Sequence, residues 1–395
     1  MDMIRPEEVG FSPTRLSRIG KAMQNYVDQK RFSGVVTLVA RRGRIVHFES
    51  FGMMDIETNK PMQLDTIFRI YSMTKPITSV AVMMLYEEGR FQLNDPVSRF
   101  IPEFKHAKVF VRMTESGPEL ADLERDVTIW HLLTHTSGLS YGSDPDLPVD
   151  AMYQEAQVFR PDETLGEGVR KLAKLPLAHQ PDSIWQYSYS TDVLAYLVEV
   201  LSGMPFDAFL KQRILEPLGM DDTGFYVPEE KIDRFATVYG PTEKDGLEVL
   251  ETPATSEYSR PRRLVQGGTG LVSTTIDYMR FSQMLLNRGE LDGTRLLGRK
   301  TVELMTTNHM PSELLPLSWD VLQGFGFGLG FGVLMNVPQS KCIGSEGTFL
   351  WGGRFTTLFW VDPREELIGL LMPSTSNMAF AFLDFIVLTY QAIVG

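Results

Sequence analysis

The chain has 395 residues, a net charge of −12, 43% apolar and 22% charged residues, and one cysteine, Cys342. That is the make-up of a soluble globular protein with room for one large or two ordinary domains. The acidic balance argues against nucleic-acid and anionic-membrane partners, and a lone cysteine excludes an intrachain disulfide.

The N-terminal stretch is charged and lacks an apolar signal core, which points to a cytoplasmic protein. Ser12-Pro13 has the chemistry of a helix start, and Leu16, Ile19, Met23 and Tyr26 recur at helical spacing through Lys30. Two strand-like runs follow, Gly34 to Ala40 and Ile45 to Phe51. The short turn Arg41-Arg42-Gly43-Arg44 between them predicts an antiparallel hairpin. Asp65 to Ile70 then leads into Tyr71-Ser72-Met73-Thr74-Lys75-Pro76 and an apolar run.

From Thr78 to about Leu215 the pattern reads as helix and loop. A short helix over Thr128 to Leu133 is ended by Thr134 to Gly138. Further helices are expected over Thr191 to Ser202 and Phe206 to Glu216. After Gly267 to Ser273 come helices over Ile276 to Asn287 and Lys300 to Thr306. Strand signals then return at Gly324 to Met335, Phe349 to Gly352, Thr356 to Val361 and Glu366 to Met372. A helix over Ala379 to Val394 ends the chain. Asp384, Thr389, Tyr390 and Gln391 interrupt it, so it reads as a packed helix and not a membrane span.

Strands at both ends with helices between predict an α+β fold. One antiparallel sheet is built from both chain ends and flanked by helices. The expected division is residues 1–77 with 268–395 as the sheet domain and 78–267 as an inserted, mostly helical domain. The site then lies in the cleft between them.

Three groups of residues can meet in that cleft. Ser72 and Lys75 are three apart at the start of a helix, so they share a face. A serine hydroxyl attacks poorly until a base takes its proton, and a neighbouring lysine can be that base. The helix start adds unpaired N–H groups that favour an oxyanion. Tyr187, in Tyr187-Ser188-Tyr189-Ser190, stands at a loop-to-helix corner, where a phenol can relay a proton. Trp351-Gly352-Gly353-Arg354 lies in a strand, where glycines let a substrate approach the backbone. That strand can supply a second oxyanion N–H, and Trp351 a pocket wall.

Two other patterns carry less chemistry. Gly138-Leu139-Ser140-Tyr141-Gly142 fits the G-x-S-x-G elbow, but an elbow needs a strand before the serine and a helix after it. Here a helix precedes and a Pro/Asp-rich loop follows. His131 and His135 stand four apart without the glutamate of a zinc helix, so no metal site is expected. His135 is expected to hydrogen-bond the loop of Ser137 and Gly138.

The ordered set S-x-x-K, Y-x-x before a helix, and W-G-G resembles the family VIII carboxylesterases. These belong to the superfamily of class C β-lactamases, D-alanyl-D-alanine carboxypeptidases and penicillin-binding proteins. His135 to Leu139, Pro217 to Met220 and Gly268 to Ser273 carry the resemblance further, from about Phe32 to Asp362. It implies Ser72 as nucleophile, Lys75 as its helper and Tyr187 as base or proton shuttle. It also implies an oxyanion hole from the backbone N–H groups of Ser72 and Arg354. Trp351, Gly352, Gly353 and Tyr189 would bind substrate. No metal or organic cofactor is implied, and the partner is a small-molecule ester of a small or short acyl group.

Two departures bear on substrate. Tyr189 stands where β-lactamases usually have Asn, and W-G-G replaces K-T-G. Both remove groups that would hold a β-lactam, each worth about 1.5–3 kcal/mol at a desolvated site. Esters are therefore expected over β-lactams. The alternatives are an amide-cleaving or acyl-transferring relative and a non-catalytic binding descendant.

Overall fold

The structure is a computed structural model that describes residues 3–243, 246–319, 322–376 and 379–395. The apolar runs near the N-terminus form β1 (Gly34–Arg41), β2 (Arg44–Asp55) and β3 (Lys60–Pro61). Those near the C-terminus form β4 (Phe325–Phe327), β5 (Gly332–Leu334), β6 (Phe349–Gly352), β7 (Leu358–Asp362) and β8 (Leu367–Pro373). The eight make one sheet in the order β4-β5-β6-β7-β8-β1-β2-β3. Every neighbouring pair is antiparallel. The two chain ends are joined where β8 lies on β1, from Val35 opposite Pro373 to Arg41 opposite Leu367. Every residue of β1 and β8 is buried, because helices cover both faces there.

On one face lie α1 (Arg18–Asp28) and the C-terminal helix Ala379–Tyr390. Ile19, Met23 and Tyr26 of α1 join Val35, Val39, Trp360, Leu371 and Phe385 in that core. On the other face lie α2 (Thr74–Glu87), with α3 (Ser190–Ser202) packed against it, and α4 (Thr275–Leu286), and the terminal helix is α5. Val36, Leu38, Phe359 and Leu370 point into this second core with Ile77, Val80, Val193 and Tyr278. It continues without a break from the sheet into the helices of residues 78–267.

Three stretches depart from the expected pattern. The helical-reading segment holds a β-ribbon, Lys108–Thr114 paired with Gly117–Asp122. A second ribbon pairs Val238–Pro241 with Leu247–Glu251. The first is mostly exposed on both faces and so lacks the apolar alternation that marks a half-buried strand. The predicted helix Phe206 to Glu216 widens into a π-helical turn at Lys211–Leu215. Among the described residues, no single helix is long and apolar enough to cross a membrane.

Candidate active site

Ser72 sits in a tight turn, Tyr71–Met73, that runs straight into α2. It is therefore one turn ahead of the α-helix proper, not on it. Tyr71, the residue before it, has φ 42°, a left-handed conformation that costs energy for a side chain of this size. A strained residue next to a candidate nucleophile is a common feature of functional sites. Lys75 follows in the first turn of α2 and is 1% exposed. Its Nζ donates to the Gly268 carbonyl at 2.8 Å and lies 3.4 Å from Ser72 Oγ. The amine also faces the rings of Tyr187 and Tyr141, 4.5 and 5.2 Å from their centroids.

Gly268 links this lysine to a carboxylate. Its N–H donates to Asp192 Oδ1 at 3.1 Å, while Asp192 Oδ2 has no hydrogen-bond partner. Asp192 is fully buried on α3. Burial pushes its carboxyl up to about 6, with the Lys75 charge and the Gly268 N–H pulling it back. A side chain on Gly268 would meet Asp192 Oδ2 at 2.7 Å, so glycine is what permits the approach.

Tyr187 lies in the loop before α3. Its hydroxyl is buried and makes no hydrogen bond, so it does not engage Ser72 directly here. The ring is held by neighbours: His135 at 4.9 Å, Tyr141 stacked at 5.4 Å, Trp351 at 5.5 Å and Trp319 edge-on at 4.9 Å. His135 does not bond its own loop, as the sequence suggested. Its Nδ1 pairs with Ser188 Oγ at 3.1 Å, fixing the residue next to Tyr187. Burial, with a push from Lys75, holds the His135 ring well below the usual histidine range, so it is a neutral imidazole.

Trp351 and Gly352 end β6, and the turn after them carries Gly353 and Arg354. A Cβ on Gly353 would lie 2.5 Å from the Ile70 carbonyl. Glycine thus seats the strand rim against the chain two residues ahead of Ser72. No protein acceptor for the Ser72 or Arg354 backbone N–H is found among the described residues.

Ser72, Tyr187, Tyr189, Trp351, Gly352, Gly353 and Arg354 all line one cavity of about 800 Å³. Lys75 is buried behind Ser72 and does not itself line the cavity. The three groups singled out in the sequence therefore do converge, although only the Lys75 to Ser72 contact is within hydrogen-bond reach.

The sequence pattern of the beta-lactamase family matches residues 19–387. The chain belongs to the beta-lactamase family. An uncharacterized protein of Mycobacterium tuberculosis is 38% identical over 89% of this chain and 88% of its own length. Esterase EstB of Burkholderia gladioli is 33% identical, covering 91% of this chain and 90% of its own. The solved structure of EstCE1, a hydrolase with promiscuous acyltransferase activity, superimposes with a TM-score of 0.82. It is 27% identical and covers 95% of this chain and 99% of its own. EstB and EstCE1 place this beta-lactamase-family chain with the family VIII esterases of the β-lactamase and penicillin-binding-protein superfamily, as an ester-cleaving serine hydrolase.

Other residues of this beta-lactamase-family site were missing from the sequence reading. Tyr141 stacks between Tyr187 and Tyr189, at 4.6 Å from the latter. It was hidden inside the G-x-S-x-G pattern. Trp319 covers Tyr187 and stacks at 6.1 Å on Trp351. Nothing in its loop sequence marks it. Asp192 had a visible signal: an acid in the otherwise apolar run Val193-Leu194-Ala195 and beyond. Tyr189 is stacked and half-buried, and burial with the nearby Asp192 and Asp150 pushes its hydroxyl up to about 12. Ser140 is fully buried, with no strand before it and no helix after it, and its hydroxyl has no partner. His131 caps its own helix through Nδ1, which accepts from the Thr128 N–H at 3.0 Å. No His, Cys, Asp and Glu cluster suited to a metal occurs among the described residues.

Proposed function

We propose that the protein is a carboxylesterase that works through an acyl-enzyme on Ser72. The observation that carries this reading is the Lys75 amine, held by the Gly268 carbonyl at 2.8 Å with Ser72 Oγ at 3.4 Å, where Ser72 lines an open cavity. Lys75 takes the Ser72 proton as Oγ bonds to the acyl carbon. The carbonyl oxygen becomes an anion, received by the backbone N–H groups of Ser72 and Arg354. The ester C–O bond breaks, and the Tyr187 hydroxyl gives its proton to the departing alkoxide. Lys75, 4.5 Å from the Tyr187 ring, returns a proton to the phenolate. Water then repeats the sequence on the acyl-enzyme, with Ser72 as leaving group. An alcohol in place of water would give acyl transfer, the side activity named for EstCE1.

Esters are favoured over β-lactams by what lines the cavity. Tyr189 and Trp351 occupy the positions where a β-lactam would need an amide and an ammonium. Arg354 is the one charged side chain among the described lining residues. The test is a fluorophosphonate label located by mass spectrometry, with p-nitrophenyl butyrate and a chromogenic cephalosporin assayed side by side. Ser72 is expected to carry the label. Ser72→Ala should abolish acylation, and Ser140→Ala should leave most activity. Cephalosporin turnover far above ester turnover would overturn the esterase reading, and no acyl burst with any substrate would overturn the hydrolase reading.

A further inference from the structure

The cavity that holds Ser72 is larger than a short acyl ester needs. At about 800 Å³ it falls near the upper end of the range for drug-sized ligands, roughly 300–1,000 Å³. Its lining comes from both faces of the sheet. Trp351 pairs with Phe359 and points to the face of Ser72 and Tyr187. Leu350 and Leu358 alternate with these residues, so their side chains stand on the opposite face, toward α5. There the wall is completed by Phe382, Leu383 and Ile386 of α5. Gly352 lines the cavity between these two parts, and a Cβ there would lie 3.1 Å from the Thr357 carbonyl oxygen and 3.7 Å from Leu358 Cδ1. In this reach the described lining offers no charged group, and its only polar side chains are Ser340 and the thiol of Cys342.

An apolar reach continuous with the nucleophile's chamber has an obvious occupant: part of the molecule being cleaved. We propose that the wall of Leu350, Leu358, Phe382, Leu383 and Ile386 holds the hydrocarbon chain of the acyl group, so that medium-chain esters are the preferred class. This rests on the esterase reading above, and it replaces the short-acyl expectation drawn from the sequence. Chain methylenes entering this wall leave water, and each buried CH₂ adds roughly fourfold to kcat/KM where its full transfer energy is realised.

The test is kcat/KM for p-nitrophenyl acetate, butyrate, hexanoate and octanoate, each below its micelle concentration. The value is expected to rise by about tenfold or more from butyrate to octanoate. Leu383→Glu is the first variant, because Leu383 is 38% exposed and the helix tolerates a charge there. Ile386→Phe, which narrows the reach without adding charge, is the second. Both should cut the octanoate-to-acetate ratio at least fivefold. Unchanged ratios in both folded variants, or wild-type rates that fall steadily from acetate upward, would overturn the proposal while leaving the esterase reading intact. Failure to cleave any ester in the series would overturn both.

Discussion

Asp192 is a buried acid one peptide away from the lysine that reaches Ser72. When Lys75 accepts a proton it becomes a cation in a low-dielectric chamber, and an ionised Asp192 stabilises that charge. The carboxyl ionises near pH 6, because burial raises it. It is therefore neutral below that pH and anionic above it. Ester kcat/KM is expected to rise as pH passes about 6. Asp192→Asn should lower kcat and remove or displace that limb, while an unchanged profile would assign the limb to another group. The same shift acts on folding with the opposite preference. A raised carboxyl favours the protonated native state, so the stability it contributes is present below its unfolded-state value and is lost as pH climbs through about 6. Lys75, Tyr141 and Tyr189 interact electrostatically with this carboxylate.

At the scale of elements, the site depends on how closely the rim of β6 meets the turn ahead of α2. Gly353 and the Ile70 carbonyl make that contact, and the strained Tyr71 completes it. Gly353→Ala would force the rim away from Ser72, and with it the Arg354 N–H. Loss of one oxyanion donor typically costs about 10²–10³ in kcat. A fall of that order is expected in p-nitrophenyl ester assays, with the far-ultraviolet circular dichroism unchanged. A Gly353→Ala enzyme of wild-type kcat would remove this turn from the mechanism. The helix α3 contributes in a different way. Its first turn carries Asp192 inward, and the loop before it presents Tyr187 to the cavity.

The whole molecule is closed where β8 meets β1, which brings the W-G-G strand and the Ser72 turn from opposite ends of the chain. Leu370 lies opposite Leu38 and Phe359 and is fully buried. Leu370→Ala is expected to cost about 2–5 kcal/mol, read by urea unfolding. A loss below about 1 kcal/mol would mean that the seam repacks around the missing side chain. Much of this architecture was legible along the chain. The hairpin, the C-terminal strands, the terminal helix and the three motifs all carry local signals: two-residue or helical periodicity, turn residues and short spacings. The exposed ribbon of Lys108–Thr114 and Gly117–Asp122 carried no such signal, since neither strand buries a regular face. Which distant groups touch was decided by folding alone. Ser72 and Lys75 are neighbours by helix geometry, and their spacing sufficed to pair them. The Lys75 to Gly268 to Asp192 chain, the His135 to Ser188 bond and the stacking of Trp319 on Trp351 join residues far apart in sequence. Periodicity encodes which face of an element is buried, but not what it is buried against, and these contacts exist only once the two chain ends share a sheet.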